Sequence, residues 1–121
     1  MRAVSISQVM IEFAVDGTII TANENFLSAL GYELNEVVGK HHSMFVEPEF
    51  ANSADYRNFW DRLRRGVFMA AEYLRFGKNG REVWIQATYT PILDAKGAVA
   101  KVVKFATDIT EQKLQSINNK R

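Results

Sequence analysis

The sequence predicts an α+β domain in which a five-stranded antiparallel sheet carries helices on one face. Residues 82–110 alternate apolar and polar side chains and are rich in β-branched residues, which is typical of two long strands joined by a turn. Asp16-Gly17 is a strong hairpin signal between two strand-like segments, residues 9–15 and 18–22. Over residues 23–65, apolar residues recur at helical spacing. The predicted order is therefore β-β-α-α-α-β-β-β.

The first predicted helices have recognisable ends. Asn23 is a good N-cap because its side chain accepts hydrogen bonds from the free amides of the next turn, and Gly31 suits the end of the same helix. Residues 33–38 predict a second short helix that is closed by Gly39. Residues 40–50 predict an irregular segment or a single helical turn.

Ser53-Ala54-Asp55 is predicted to cap a longer helix, which runs through Arg65 and is closed by Gly66. Its apolar stripe, at the spacing of one helix face, consists of Tyr56, Phe59, Trp60 and Leu63. The remaining predicted elements are a strand over residues 67–76, a turn over 77–80, the hairpin turn over 94–97, a strand over 99–109, and a polar, helix-forming tail.

Composition limits the function classes. The 121 residues suffice for one domain with a single core, and the net charge of +1 gives no case for nucleic acid or an anionic membrane as the main partner. The chain has no cysteine, which excludes disulfides, thiolate nucleophiles and cysteine-bound metals. No apolar run reaches the ~18 residues that span a bilayer, and no signal core is present. We expect a soluble, cytoplasmic domain, and the polar tail suggests a part of a longer protein.

The sequence does not predict an enzyme. Ser43 is next to His42, but adjacency in sequence does not fix the geometry of a catalytic triad. Residues 77–80 lack the length and the following helix of a phosphate-binding loop. Three arginines within residues 62–65 suit the C-terminal end of a helix dipole, so they need no nucleic acid to explain them.

Five segments, in their order and spacing, resemble the PAS family of sensor domains. They are DGTIITANENFLSALGY (16–32), GKHHSMF (39–45), FWDRLRRG (59–66), GKNGREVWIQATYTPILDAKG (77–97) and VVKFATDITEQK (102–113). The wording is most similar to the PAS domains of cytoplasmic methyl-accepting chemotaxis proteins and energy-taxis receptors. The resemblance implies a PAS fold over residues 9–110, after a cap helix or disordered lead at 1–8 and before the start of an exit helix or linker at 111–121.

The resemblance implies a sensor that detects a small ligand, or a redox or gas state through a bound cofactor, and relays the signal to a downstream helix. The expected setting is a bacterial chemoreceptor, whose full-length chain would contact a chemotaxis kinase or its adaptor. The DIT motif of the family couples the sheet to that helix, so Asp108 and Thr110 are the expected signal exit. The alternative is a ligand-free module for dimerisation or protein interaction.

The resemblance also raises the question of a haem or a flavin. Cysteinyl-flavin photochemistry is excluded because there is no cysteine. Haem needs a ligand such as histidine, and the long helix that usually supplies it has none here. His41 and His42 lie slightly upstream of an alternative ligating position, and we expect at most one of them to face inward. A single imidazole would suffice for haem iron, but a histidine in a polar loop is more often a hydrogen-bonding residue, so haem ranks behind FAD as a cofactor. Two histidines alone form no other metal cluster.

Non-covalently bound FAD is the other open cofactor. Redox-sensing PAS domains of the aerotaxis kind carry a tryptophan where this chain has Phe68 and an asparagine where it has Arg75. Under this interpretation Phe68 would stack on the isoalloxazine ring, and Arg75 would face a phosphate or the flavin carbonyls. The alternative for Phe68 is an ordinary core aromatic residue.

Strand alternation, aligned with the light-sensing relatives, places one set of side chains toward a cavity under the helices. Arg75 and Lys104 belong to this set, where they would suit an anionic ligand or pair with Glu47 or Asp61. We favour the alternative that strand twist lets both cations reach solvent. The candidate cofactor-binding residues are His42, Phe59, Leu63, Phe68, Tyr73, Arg75, Ile85, Tyr89 and Lys104.

The opposite face of the sheet is predicted to show Trp84, Val103 and Phe105. An exposed apolar patch of this kind usually marks an interface. We therefore expect a homodimer or contact with a neighbouring PAS domain. The alternative is that residues 1–8 cover the patch within one monomer.

Overall fold

The computed structural model describes residues 8–119. In chain order the elements are β1 (Val9–Phe13), β2 (Ile19–Ala22), α1 (Glu24–Leu30), α2 (Leu34–Val37), a 3-10 turn (His42–Phe45), α3 (Pro48–Ala51), α4 (Ala54–Arg64), β3 (Met69–Phe76), a second 3-10 turn (Lys78–Gly80), β4 (Glu82–Leu93), β5 (Val99–Asp108) and α5 (Thr110–Asn119). The irregular segment predicted at residues 40–50 contains the first 3-10 turn and the start of the single-turn helix α3.

The strands form one antiparallel sheet in the order β2-β1-β5-β4-β3. The last strand therefore lies at the centre, between the first strand and the long strand β4. Val9 of β1 is opposite Ala106 of β5, and Tyr89 of β4 is opposite Lys104 of β5. The predicted fold class, a five-stranded antiparallel sheet with helices, is confirmed.

The β1–β2 connection is wider than the predicted two-residue hairpin. β1 ends at Phe13, because the amide of Ala14 donates to the carbonyl of Thr18 at 2.8 Å and that of Gly17 donates to Ala14 at 2.9 Å. Gly17 has a φ of +93°, which favours glycine, and the Asp16 carboxylate accepts from the Thr18 amide at 2.9 Å. Residues 14–18 thus belong to the turn and not to the strands.

Side-chain caps fix the starts of the two main helices. Asn23 Oδ1 accepts from the amide of Phe26 at 2.9 Å, and Ser53 Oγ accepts from the amide of Tyr56 at 3.1 Å, which satisfies amides that have no partner within the helix. The same Asn23 oxygen accepts from the Met10 amide at 3.1 Å and so joins α1 to β1. Both caps were predicted from the sequence.

β3 begins two residues later than predicted. The amide of Val67 donates to the carbonyl of Arg62 at 3.0 Å, and that of Gly66 donates to Leu63 at 3.0 Å. These bonds close the C-terminal end of α4, and the pairing of β3 with β4 starts only at Met69, so residues 67 and 68 lie outside the sheet. Phe68 consequently lies outside the strand to which the sequence assigned it.

One core fills the space between the sheet and the helices. Its largest apolar members are Phe13, Phe26, Phe45, Trp60 and Leu63. Tyr56, Trp60 and Leu63 of the predicted stripe are buried, whereas Phe59 is half-buried. Across residues 8–119, no helix combines the length and apolar character that crossing a lipid bilayer requires.

Candidate functional site

Five buried side chains with polar groups meet between the helices and the inner face of the sheet. They are His42, Tyr56, Arg75, Tyr89 and Lys104, and we call them the interior polar cluster. The 3-10 turn provides His42 and α4 provides Tyr56, whereas β3, β4 and β5 provide one residue each. Their exposed fractions lie between 0% and 5%. The cluster is the main polar feature of an otherwise apolar core.

The three strand residues point inward because successive side chains of a strand point to opposite faces. Tyr89 follows this alternation with the buried Ile85 and Ala87, and Lys104 lies directly opposite it on β5. The inward direction of Arg75 and Lys104 agrees with the sequence alignment. The expectation that both cations reach solvent is wrong, since Arg75 is 5% and Lys104 1% exposed.

His42 links the helical layer to the sheet. Its Nδ1 lies 2.7 Å from Tyr56 Oη and its Nε2 lies 2.8 Å from Tyr89 Oη. Burial, together with the nearby positive charges of Arg75, Lys104 and His41, holds the pKa of His42 well below its usual range. The ring is therefore neutral near pH 7, so one tyrosine donates a hydrogen bond to it and the other accepts one.

Arg75 reaches the same tyrosine oxygen from β3. Its Nη2 donates to Tyr89 Oη at 3.1 Å, and its Nη1 donates to the carbonyl of Leu74 at 3.2 Å. The guanidinium carbon lies 4.6 Å from the centre of the Tyr73 ring, which gives a cation–π contact. Arg75 Nε is buried and has no hydrogen-bond partner among the described residues. The guanidinium is thus held by two hydrogen bonds and one ring contact, and its Nε–H group is unused by the described residues.

Lys104 lies on the other side of Tyr89. Its Nζ is 4.9 Å from the centre of the Tyr89 ring, again a cation–π distance. Burial lowers the pKa of Lys104, and the charge of Arg75 lowers it further, against the stabilising effect of Tyr89. The acids expected as partners lie elsewhere, because Asp61 pairs with Arg64 at 2.7 Å and Glu47 is exposed.

Tyr89 is the junction of the cluster. Burial raises the pKa of its phenol, but the charges of Arg75 and Lys104 and the hydrogen bond from Arg75 outweigh burial, so the net shift is downward. Tyr56 and Tyr73 behave differently, because burial raises the pKa of each to about 12. Of the three phenols, Tyr89 is therefore the one on which the positive charges of Arg75 and Lys104 act most strongly.

Phe59 forms the wall between the cluster and the surface. Its ring is 4.9 Å from that of Tyr89 in an edge arrangement and 6.0 Å from that of His42 in a stacked one. The other side of Phe59 lines a cleft of about 220 Å³. The remaining residues of this cleft are Phe50, Asp55, Asn58, Arg62 and Met69. Leu63 and Ile85, also candidates for ligand binding, are buried members of the apolar core.

The structure gives only part of the flavin site expected from the sequence. Phe68, the expected stacking partner, is 57% exposed and lies between α4 and β3, so it is not a core residue. Inside the domain, the rings of Phe59 and Tyr73 lie 4.9 Å and 5.6 Å from that of Tyr89 and pack edge-on against it. Of the expected flavin contacts, only Arg75 faces the interior.

The histidines do not fit haem iron in this arrangement. Only His42 faces the interior, which answers the question that the sequence left open, and both of its ring nitrogens are bound to tyrosine hydroxyls. His41 is half-buried, with Nε2 2.7 Å from the carbonyl of Asp16 and Nδ1 accepting from the amide of Ser43. Among residues 8–119, no group of His, Cys, Asp or Glu is arranged to hold a metal ion.

The three predicted interface residues differ in exposure. Phe105 is 41% exposed, Val103 is 9% exposed, and Trp84 is half-buried. Helix α5 packs beside Trp84, because Lys113 Nζ lies 4.8 Å from its ring centre and binds Glu72 of β3 at 2.9 Å. The alternative in which residues 1–8 cover this patch falls, except for Gln8, outside the described residues.

The joint between β5 and α5 is closed by local hydrogen bonds. Asp108 Oδ1 accepts from the amide of Thr110 at 2.9 Å, and Thr110 Oγ1 accepts from the amide of Trp84 at 2.9 Å. The amide of Ile109 donates to the carbonyl of Trp84 at 2.8 Å. We call these four residues the exit joint. Both predicted exit residues thus lie where the last strand, β4 and the helix meet.

Sequence reasoning missed the role of Tyr56 and the link between His42 and Tyr89. Tyr56 was predicted only as one of four residues in an apolar stripe, although its hydroxyl binds His42. A tyrosine in such a stripe, where phenylalanine would suffice, is a weak signal of a buried hydrogen-bond partner. The partner itself could not be found, because His42 and Tyr89 are 47 residues apart.

The PAS domain family matches residues 8–111 of this chain. Biofilm dispersion protein BdlA of Pseudomonas aeruginosa is 46% identical over 109 residues, which cover 90% of this chain and 26% of that protein. The aerotaxis receptor of Escherichia coli is 25% identical over 99 residues, 82% of this chain and 19% of the receptor. The chain therefore spans about a quarter or less of the length of these relatives.

Solved structures show the same fold. A PAS domain from Colwellia psychrerythraea superposes with a TM-score of 0.75 at 19% identity, covering 88% of this chain and 89% of that one. A light-oxygen-voltage domain studied with a flavin analogue gives a TM-score of 0.72 at 21% identity, covering 97% and 91% of the two chains. The family match, the sheet order and the shared fold lead to one conclusion: the chain belongs to the PAS domain family.

Proposed function

We propose that this PAS domain is the input module of a chemoreceptor-like signalling protein, in which a small molecule bound at the interior polar cluster changes the packing of α5. The observation that carries the proposal is that two strands join the cluster to the exit joint. β4 contains both Tyr89 and Trp84, and β5 contains both Lys104 and Asp108. A displacement at the cluster therefore acts on both sides of the joint at once.

The relatives support this setting. The chain is similar to an aerotaxis receptor and to a biofilm dispersion protein, and both names describe responses of bacteria to their surroundings. We propose a cytoplasmic domain whose full-length protein passes the signal to a chemotaxis kinase or its adaptor. The domain itself acts by binding and not by catalysis.

The transmission of a change from the interior polar cluster to α5, which we call the relay, can be tested without knowledge of the ligand. The chain has two tryptophans, so Trp60→Phe leaves Trp84 as the only indole reporter, and it lies at the exit joint. In this background, Tyr89→Phe removes the phenol that Arg75 and His42 share. We expect a changed Trp84 emission and faster amide exchange in α5.

The matched control for the relay is Tyr73→Phe, whose hydroxyl has no hydrogen bond among the described residues although its ring contacts Tyr89. This variant should leave both signals unchanged. The proposal fails if the folded Tyr89→Phe protein has the Trp84 emission and α5 exchange of its parent.

An absorption spectrum of the freshly purified chain tests whether FAD or haem is bound. We propose a small ligand in place of FAD or haem, because the rings around Tyr89 fill the interior and both histidines have both ring nitrogens hydrogen-bonded. The expected protein is colourless. Flavin bands with FAD released on denaturation, or a Soret band, would contradict this part of the proposal.

A second candidate function is assembly through the outer face. Phe105 is 41% exposed on the central strand, and Leu114 and Ile117, three residues apart on α5, are 52% and 51% exposed. We propose a homodimer, or contact with a neighbouring PAS domain, through these side chains. Sedimentation of the wild type and of Phe105→Asp tests the homodimer: the variant should be monomeric where the wild type is dimeric, and two monomers would contradict it.

A further inference from the structure

The interior polar cluster contains two basic side chains and no carboxylate. No Asp or Glu between residues 8 and 119 is buried, and the salt bridges in this range involve Arg64, Lys78, Lys101 and Lys113 but neither Arg75 nor Lys104. A buried cation without a counter-ion loses its hydration without replacement, so it is normally paired. The interior is therefore short of one or more negative charges.

The polar groups of the cluster converge on one point. Arg75 Nη2 lies 3.1 Å and His42 Nε2 lies 2.8 Å from Tyr89 Oη. Lys104 Nζ lies 4.9 Å from the centre of the same ring, and Arg75 Nε has no hydrogen-bond partner within residues 8–119. The phenol oxygen thus stands where an anionic oxygen would be bound most strongly, since hydrogen bonds from charged donors are stronger than neutral ones.

Aromatic rings surround Tyr89. Phe59 and Tyr73 both contact the Tyr89 ring edge-on. Phe59 is also shared with the cleft of about 220 Å³ that lies between α4 and the start of β3, so rotation of its side chain would join the cleft to the cluster. A ligand that entered there would place an apolar body among Phe50, Phe59 and Met69 and its charged end at Arg75.

We propose that the interior polar cluster binds the carboxylate group of a small organic monoanion, whose aromatic or branched apolar body occupies the cleft beside Phe59. This inference rests on the proposed function, since it names the ligand class that the sensor would detect. Arg75 would bind the carboxylate directly, with Tyr89 and His42 as hydrogen-bonding neighbours. The nearby charge of Lys104, 4.9 Å from the centre of the Tyr89 ring, would add to the attraction.

The experiment measures thermal unfolding of the 121-residue chain with sodium benzoate as the probe. Benzamide has the same shape without the charge, and sodium nitrate at equal ionic strength tests a small inorganic anion. Because a ligand that binds only the folded state stabilises it, benzoate should raise the Tm in a concentration-dependent manner, whereas benzamide and nitrate should not. Arg75→Gln should weaken benzoate binding at least tenfold, and Arg81→Gln, an exposed arginine outside the cluster, should not change it.

Several outcomes would overturn the proposal: no benzoate shift, an equal shift with benzamide or nitrate, or an unchanged shift in Arg75→Gln. If Arg75→Gln does not fold, Lys104→Met provides the second variant, and its unchanged benzoate shift would overturn the proposal equally. The relay fails separately. Benzoate binding that leaves Trp84 emission unaltered contradicts the relay only, whereas a Trp84 response to Tyr89→Phe without benzoate binding contradicts the carboxylate site only.

Discussion

Thr110 Oγ1 lies 2.9 Å from the amide nitrogen of Trp84 and accepts its hydrogen bond, so a side chain of the first turn of α5 is bound to the backbone of β4. The contact spans 26 residues of sequence. Asp108 holds the amide of Thr110 at 2.9 Å from the other side. The start of the exit helix is thereby fixed to two neighbouring strands and not to its own strand alone.

Thr110→Val should loosen this joint. Valine has nearly the same shape but cannot accept the hydrogen bond, so we expect the free energy of unfolding to fall by about 0.5–1.5 kcal/mol and the amides of α5 to exchange faster. Thr110→Ser retains the oxygen and is the control. Urea unfolding together with hydrogen exchange measures both effects, and equal α5 protection in the two variants would show that the bond does not hold the helix.

Lys104→Met should stabilise the domain. The methionine chain fills a similar volume without a buried charge, and replacing buried ions by packed apolar groups is often neutral or stabilising by about 1–4 kcal/mol. Lys101→Met on the same strand is the comparison, because Lys101 is partly exposed and pairs with Glu12 at 3.0 Å, where a loss of about 0–1 kcal/mol is expected. A large loss of stability in Lys104→Met, measured in urea, would contradict the lack of a buried counter-ion.

Stability should fall with acidification because of His42. Its pKa is depressed in the folded state, so between that value and about pH 6.5 the unfolded chain binds more protons than the folded one. The stabilisation is therefore complete above about pH 6.5 and is lost below it, by up to about 1.4 kcal/mol for each pH unit.

The control for the acid effect is His42→Gln, which has no titrating group at this position. Urea unfolding between about pH 7 and pH 5 should give a smaller slope of stability against pH for the variant than for the wild type. Asp16 and Glu36 stay ionised between about pH 7 and pH 5, because the pKa of each carboxylate is lowered. Their contribution to stability is lost only at lower pH. Parallel slopes would mean that His42 is not the titrating group.

Gly17→Ala should destabilise the domain more than Gly97→Ala. Both positions have a left-handed φ, +93° and +86°, so both variants share a conformational cost of about 1 kcal/mol. A Cβ at Gly17 would lie 2.5 Å from Nε2 of His41, whereas a Cβ at Gly97 would point into open space. His41 would have to leave the carbonyl of Asp16. Equal losses in thermal unfolding would show that His41 moves freely.

Much of the fold could be predicted because its signals are local. Asn23 and Ser53 cap their helices through bonds within three residues, and the alternation from Val83 to Tyr89 is a property of each strand by itself. The errors at the strand ends have local causes too. Ala14 and Val67, which were assigned to strands, make turn and helix-end bonds that their apolar side chains do not reveal.

The inward direction of the site's side chains could be predicted from the sequence, but their surroundings could not. Alternation indicated that Arg75 and Lys104 face inward, yet their burial depends on the helices and the aromatic rings that close over them, which periodicity does not describe. The cost of burying cations argued for solvent exposure, and the structure shows both buried without an acidic partner among the described residues. The interior position expected for Phe68 is wrong because β3 begins at Met69, the residue after it, which leaves Phe68 outside the sheet.

The antiparallel pairing of β1 and β5 has a mechanical consequence. Val9 is opposite Ala106, so the start of β1 and the end of β5 lie at the same end of the sheet. A force pulling these two points apart would load the inter-strand bonds, which are perpendicular to the strands, one after another and not all together. The two strands would separate at low force, beginning beside α5. A pulling force applied at the start of β1 or at the end of β5 would therefore act on the exit joint first.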